Sequence, residues 1–261
     1  MKRGEIMLAA DRRRAFGPWL WLAVLLYFGL CMADISFYVQ DRQENAMLIF
    51  QFCGSITPVF SIAPVLAALP FATGFGNDWR SGMAVSMTLR CGRRRFLGSK
   101  FVCCALAGGL ALAGGMLLFV LFVNLWFDQN YAEIGAMLME MPFCSVLAHW
   151  DCIGFVQFYG VFLLLQFFAG MFWAASALAA SAFLPSPSLT LCAPLVLYRL
   201  LEEAAAWLPL PGWTSPCLLQ TGSAGLGTWQ SLFAAAGVFG LLLVACGAVF
   251  FWRAGRRLRY A

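Results

Sequence analysis

NDWRSGMAVSMTLRCGRRRFLGSK, residues 77–100, is the longest run in the chain that cannot sit in lipid. It carries Arg80, Arg90, Arg93, Arg94, Arg95 and Lys100 against a single acid, Asp78. Long apolar segments flank it on both sides. A basic segment between two membrane spans lies on one membrane face, and the positive-inside rule places that face in the cytoplasm. Met83, Val85, Met87, Leu89 and Phe96 supply its apolar residues, so Asp78 to Phe96 is expected to form a short helix or helix pair.

Composition fixes the class around this segment. Of the 261 residues, 62% are hydrophobic and 11% charged, whereas a soluble domain carries about 25% charged residues. The sequence therefore reads as an all-α polytopic membrane protein, one transmembrane domain over residues 1–261. The net charge of +5 does not point to nucleic acid. The basic residues sit beside apolar spans, where they meet anionic headgroups of the bilayer and set orientation. The ten cysteines are scattered through mostly apolar stretches with no CxxC pair, which argues against a zinc or redox framework. The first apolar run begins near Phe16, is long enough to span, and has no small-residue cleavage site after it, so it is expected to be a span rather than a signal peptide.

Six transmembrane helices are expected, over about 16–36, 48–75, 101–127, 154–184, 189–208 and 229–252, with both termini cytoplasmic. Charge supports that count. Five positive residues precede the first span, six lie in 77–100 and four follow the last span, leaving Arg42 and Arg199 as the others of 17. The N-terminal stretch reads either as an interfacial amphipathic helix or as a frayed basic tail. Asp34 is expected near headgroups or water at the far end of the first span. The second span holds Pro58, Pro64 and Pro70, so it should be kinked or broken, with a gate or ordinary membrane-helix packing as the alternatives. Ala107, Ala111 and Gly115 in the third span, and Gly170, Ala174, Ala177 and Ser181 in the fourth, form small-residue faces for close helix packing.

Three polar features sit outside that frame. His149 lies between Cys144 and Cys152 in an acidic loop, but lacks the paired spacing of a zinc site, so no metal is assigned and a plain or disulfide-bonded loop is the reading. Arg199, Glu202 and Glu203 fall in the fifth span. They mark either a translocation gate in a wet cavity or an early helix end at the outer interface. Residues 209–228 are uncharged and rich in Pro and Gly, and are expected to dip back into the membrane.

Catalytic motifs are missing: no GxxxxGK[ST], no HExxH, no GxSxG. No enzyme activity and no cofactor is assigned to this chain.

Residues 64–109, PVLAALPFATGFGNDWRSGMAVSMTLRCGRRRFLGSKFVCCALAGG, resemble the membrane subunits of ABC-2 type ABC transporters, the small six-span bacterial permeases. Asp78, Ser81-Gly82, Arg93–Arg95 and Lys100 match that family's order of acid, small pair, basic stretch and span-opening lysine. The segment FWAASALAASAFLPSPSLTLCAPLVLYRLLE looks like its fourth-to-fifth span region. The resemblance implies an exporter permease of the cell membrane, moving a peptide, drug or lipid. It implies a homodimer or a second permease, and a separate ABC ATPase subunit that holds ATP and Mg. Asp78, Arg80, Arg90, Arg93, Arg94 and Arg95 would then belong to the segment coupling to that ATPase. An ion-gradient-driven carrier and a non-transporting membrane scaffold are the alternatives.

Overall fold

Residues 3–36, 59–127, 155–184, 186–208, 211–221, 226 and 228–259 are described by a computed structural model, and all regular structure among them is helical. The chain runs α1 (Arg3–Ala15), α2 (Pro18–Ile35), α3 (Val59–Ala68), α4 (Gly74–Arg80), α5 (Met83–Cys91), α6 (Arg93–Trp126), α7 (Phe155–Ser181) and α8 (Pro187–Trp207). A 3-10 turn at Gly212–Thr214, α9 (Pro216–Thr221) and α10 (Thr228–Arg257) complete it. Pro58 and the loop holding Cys144, His149 and Cys152 lie outside the described residues.

Four helices among the described residues are long and apolar enough to cross a membrane: Ala9–Ile35, Arg93–Trp126, Tyr159–Ser181 and Trp229–Arg257. This corrects the expected six. Of the expected second span, residues 48–58 lie outside the described residues, and the described part holds α3, 10 residues long. It stops at Ala68, just before Pro70, whose ring disfavours a helical conformation in the residue preceding it. The expected fifth span is α8. Its 21 residues would reach about 31 Å, long enough by length. Arg199, Glu202 and Glu203 in its C-terminal half remove it from the apolar class. With four such helices among the described residues, the expected six-span topology no longer places the two termini.

The basic segment is three helical pieces. α4 and α5 meet at Gly82, whose φ of 72° is open to glycine and strained for other residues. α6 then begins at Arg93, eight residues before the expected boundary, after Gly92 with φ 83°. At 34 residues α6 is about 51 Å long, well beyond a hydrocarbon core of ~30 Å, so part of it projects into a polar layer.

α7 is the centre of the bundle. It packs against α6, α10, α3, α8 and α9, and most of its apolar stretch is buried. α6 and α7 cross almost backbone to backbone. A Cβ added at Gly108 would lie 2.3 Å from the Ala174 Cβ and 2.7 Å from the Gly170 carbonyl. The small-residue faces, with Ala107, Ala111, Ala174 and Ala177 fully buried, therefore serve this crossing inside one chain. α10 buries little of its apolar stretch and presents Phe233, Leu241 and Val244 outward, as a lipid-facing helix does. Asp34 is buried on the packed face of α2 with Tyr27, Cys31 and Ile35, and not at water as expected.

Candidate functional site: a buried charge clasp under a basic surface

One end of the bundle gathers α1, α4, α5, the first turns of α6 and the end of α10. Lys100 lies at its centre, 1% exposed. Its Nζ is 2.7 Å from Asp11 Oδ1 and 2.5 Å from Asp78 Oδ2. The rings of Phe71 and Phe96 sit 5.0 and 5.7 Å from the ammonium, close enough for cation–π attraction. Ser99 donates to Asp11 Oδ2 at 2.6 Å. Arg14, whose side chain is half exposed, donates to Asp78 Oδ1 at 3.1 Å. Two carboxylates therefore meet two cations and a hydroxyl, and the clasp is neutral overall.

Local structure explains the meeting. Asp11 and Arg14 are three residues apart on α1 and share a helix face. That face lies against α6 and α5. Asp78 sits on α4 facing inward, one turn after buried Phe75. The cluster thus ties three separate segments, α1, α4 and α6, at a single ammonium. A buried charge is costly unless paired and hydrogen-bonded, and here each charged group has partners.

Both carboxylates face inward, so the surface of this end is cationic. Arg12, Arg13, Arg80, Arg90, Arg94, Arg95, Arg256 and Arg259 are all exposed there. Arg80 is held by Asn77 Oδ1 at 2.7 Å. Arg93 donates to the Gly255 carbonyl at 3.2 Å, joining α6 to α10. Arg257 donates to the Phe183 carbonyl at 3.4 Å. The residues expected to form one coupling surface thus divide: Asp78 is internal, Arg93 is a helix tie, and Arg80, Arg90, Arg94 and Arg95 face outward. Arg199 and Glu202 form an exposed pair at 2.8 Å on α8, with Glu203 exposed beside them.

Asp11, Arg14 and Ser99 were not singled out from sequence. An acid inside the run DRRR, and a lysine seven residues into a helix, are the signals that point to them. A second buried polar group was also missed. Trp173 Nε1 donates to Gln220 Oε1 at 2.9 Å, and Gln166 Nε2 donates to the Gln220 carbonyl at 3.0 Å. Tyr27 donates to Gln166 Oε1 at 3.3 Å. Gln166 and Trp173 are seven residues apart on one face of α7, and they draw α9 into the bundle. Of the expected inward dip over 209–228, residues 211–221, 226 and 228 are described, and Ser215, Pro216, Cys217, Leu219 and Gln220 there are buried.

Fold and site together define a multi-pass helical membrane protein. Compared with known protein families, curated proteins and solved structures, the chain matches none. The resemblance to ABC-2 permeases is therefore corrected. No family model supports it, and among the described residues four membrane-length helices stand where six were expected. Export driven by a partner ATPase falls with it.

Proposed function

We propose that this chain is a non-catalytic scaffold of the cell membrane that presents a rigid cationic platform at the cytoplasmic surface. The observation that carries the reading is the clasp. One buried lysine fixes two interfacial helices, α1 and α4, against the projecting end of a membrane helix. A geometry held from inside keeps the outward arginines in fixed relative positions, which a basic tail does not. The positive-inside rule supports the cytoplasmic side, because this end collects nearly all the cations of the described residues.

The test is flux and sidedness in one preparation. Proteoliposomes holding the purified chain are given proton and sodium gradients in turn, and leak is compared with empty vesicles. Equal leak, with a reporter fused after the C-terminus active in the cytoplasm, is the expected result. Gradient-driven solute movement, or an external reporter, overturns the reading.

A further inference from the structure

We infer that the outward face of α8 is where two copies of this chain pair within the membrane, closing over Arg199, Glu202 and Glu203. That face is an exposed seam at helical spacing, formed by Leu189, Cys192, Val196, Arg199, Glu203 and Ala206. Its apolar part suits lipid, and its charged part does not.

Ring contacts fix the depth of those charges. Phe101, where the apolar stretch of α6 begins, meets Phe251 of α10 with centroids 6.2 Å apart. Phe239 lies about 18 Å from Phe251 along α10, and its ring is 5.9 Å from Phe172. Trp173, the next residue of α7, is 5.6 Å from Tyr198 of α8. A hydrocarbon core of ~30 Å that starts at Phe101 has its midplane about 15 Å in. Tyr198 is therefore near the midplane, and Arg199 follows it directly. Glu202 and Glu203 come about 6 Å later, still inside the far boundary.

At this depth the charges point away from their own bundle. Arg199 and Glu202 leave 57% and 44% of their side chains exposed and meet at 2.8 Å. Arg199 uses only Nη1 in that bond. Glu203, also exposed, makes no ion pair among the described residues. Ionisable groups within a span face a protein interior or a wet cavity, because acyl chains cannot solvate them. The packed side of α8 turns Thr190, Pro194 and Tyr198 inward, against α7 and α3, so the bundle itself leaves the charged side uncovered.

A second copy supplies the cover. The seam carries both signs one turn apart, so its complement is the same seam turned by a two-fold rotation. Both copies share one orientation in the bilayer, which sets the axis along the membrane normal and the seams parallel. Each guanidinium has donors to spare, and in this pairing it serves its own Glu202 and the partner's Glu203. A polar layer within an apolar seam also fixes register. The pairing is the same whichever membrane face is cytoplasmic, and it sets two cationic platforms side by side.

Cys192, exposed on the same seam, is a native probe. The full chain in liposomes is oxidised with copper phenanthroline, and a Cys192–Cys192 linked peptide is sought by mass spectrometry. Single-molecule photobleaching across a lipid dilution series reads the monomer–dimer equilibrium. Wild type is expected to form dimers carrying that linkage. In R199L/E202L/E203L the dimer dissociation constant is expected to rise roughly 10-fold, since the polar contacts across the seam are gone and leucine is at home in lipid. Leu241→Ala, on the outward face of α10, should leave it unchanged. Monomers at every dilution, dimers lacking the Cys192 linkage, or undiminished association of the triple-leucine variant overturns the pairing. If that variant does not fold, the wild-type linkage decides. Labelling of Glu203→Cys by an impermeant maleimide would show a water-filled cavity as the cover, and this also overturns the pairing.

Discussion

Replacing Lys100 with methionine removes the hub of the clasp while keeping most of its volume. At 2.7 and 2.5 Å, each carboxylate gains a gross attraction of about 6 kcal/mol from the ammonium at an effective dielectric of about 20. Much of that offsets the cost of taking the charges out of water. What remains after Lys100→Met is two buried carboxylates with fewer partners. Asp78 keeps Arg14, and Asp11 keeps only Ser99. Breaking a buried pair by removing one partner costs about 3–5 kcal/mol, and that loss is expected here. The cost should be local, because the clasp lies where α1 and α4 meet α6. Unfolding in mixed detergent–SDS micelles, followed by tryptophan fluorescence, measures the global part. Limited trypsin cleavage at Arg12–Arg14 reads the release of α1 and should accelerate well before the bundle opens. The companion variant K100M/D11L/D78L removes every buried charge of the clasp, leaving the half-exposed Arg14 and the Ser99 hydroxyl. It should recover most of the stability, since apolar replacement of a whole buried ion set is close to neutral. Wild-type stability and cleavage in Lys100→Met, or no recovery in the triple variant, would refute the reasoning.

Gly108→Val should abolish recovery of folded protein, because its side chain would enter space held by Ala174 and the Gly170 carbonyl; size-exclusion profiles in detergent read this. Gly114→Ala, whose nearest contact is a Val24 methyl at 3.3 Å, should be recovered nearly as wild type. Gln220→Leu leaves the buried Trp173 N–H without its acceptor and should cost about 1–3 kcal/mol in the same unfolding assay. Adding Trp173→Phe should return part of that loss, and independence of the two effects would show that α9 is not pinned through this bond. Gly92→Ala places a side chain at φ 83° and should lower stability by about 1–2 kcal/mol, through backbone strain alone.

The sequence by itself determined the class and the material. Uninterrupted apolar runs at Leu20–Leu30, Phe101–Val123 and Ala234–Phe251 leave a helix in lipid as the solution for backbone groups. The basic run at 77–100 was legible as an interfacial segment, and the small residues of α6 and α7 as a packing face. Both readings depend on local composition, which a one-dimensional reading reports well. Tertiary structure decided the rest. Among the described residues, the membrane-length helices were set apart by three charges in α8, a balance that apolar content alone does not fix. The partners of Lys100 come from 22 and 89 residues away along the chain, and no local pattern joins Asp11 to Asp78. Asp34 and Asp78 read as polar boundary residues in sequence, yet both are buried. Whether an acid faces water or a lysine depends on which helix packs over it, and that is settled only when α1 folds back on α6.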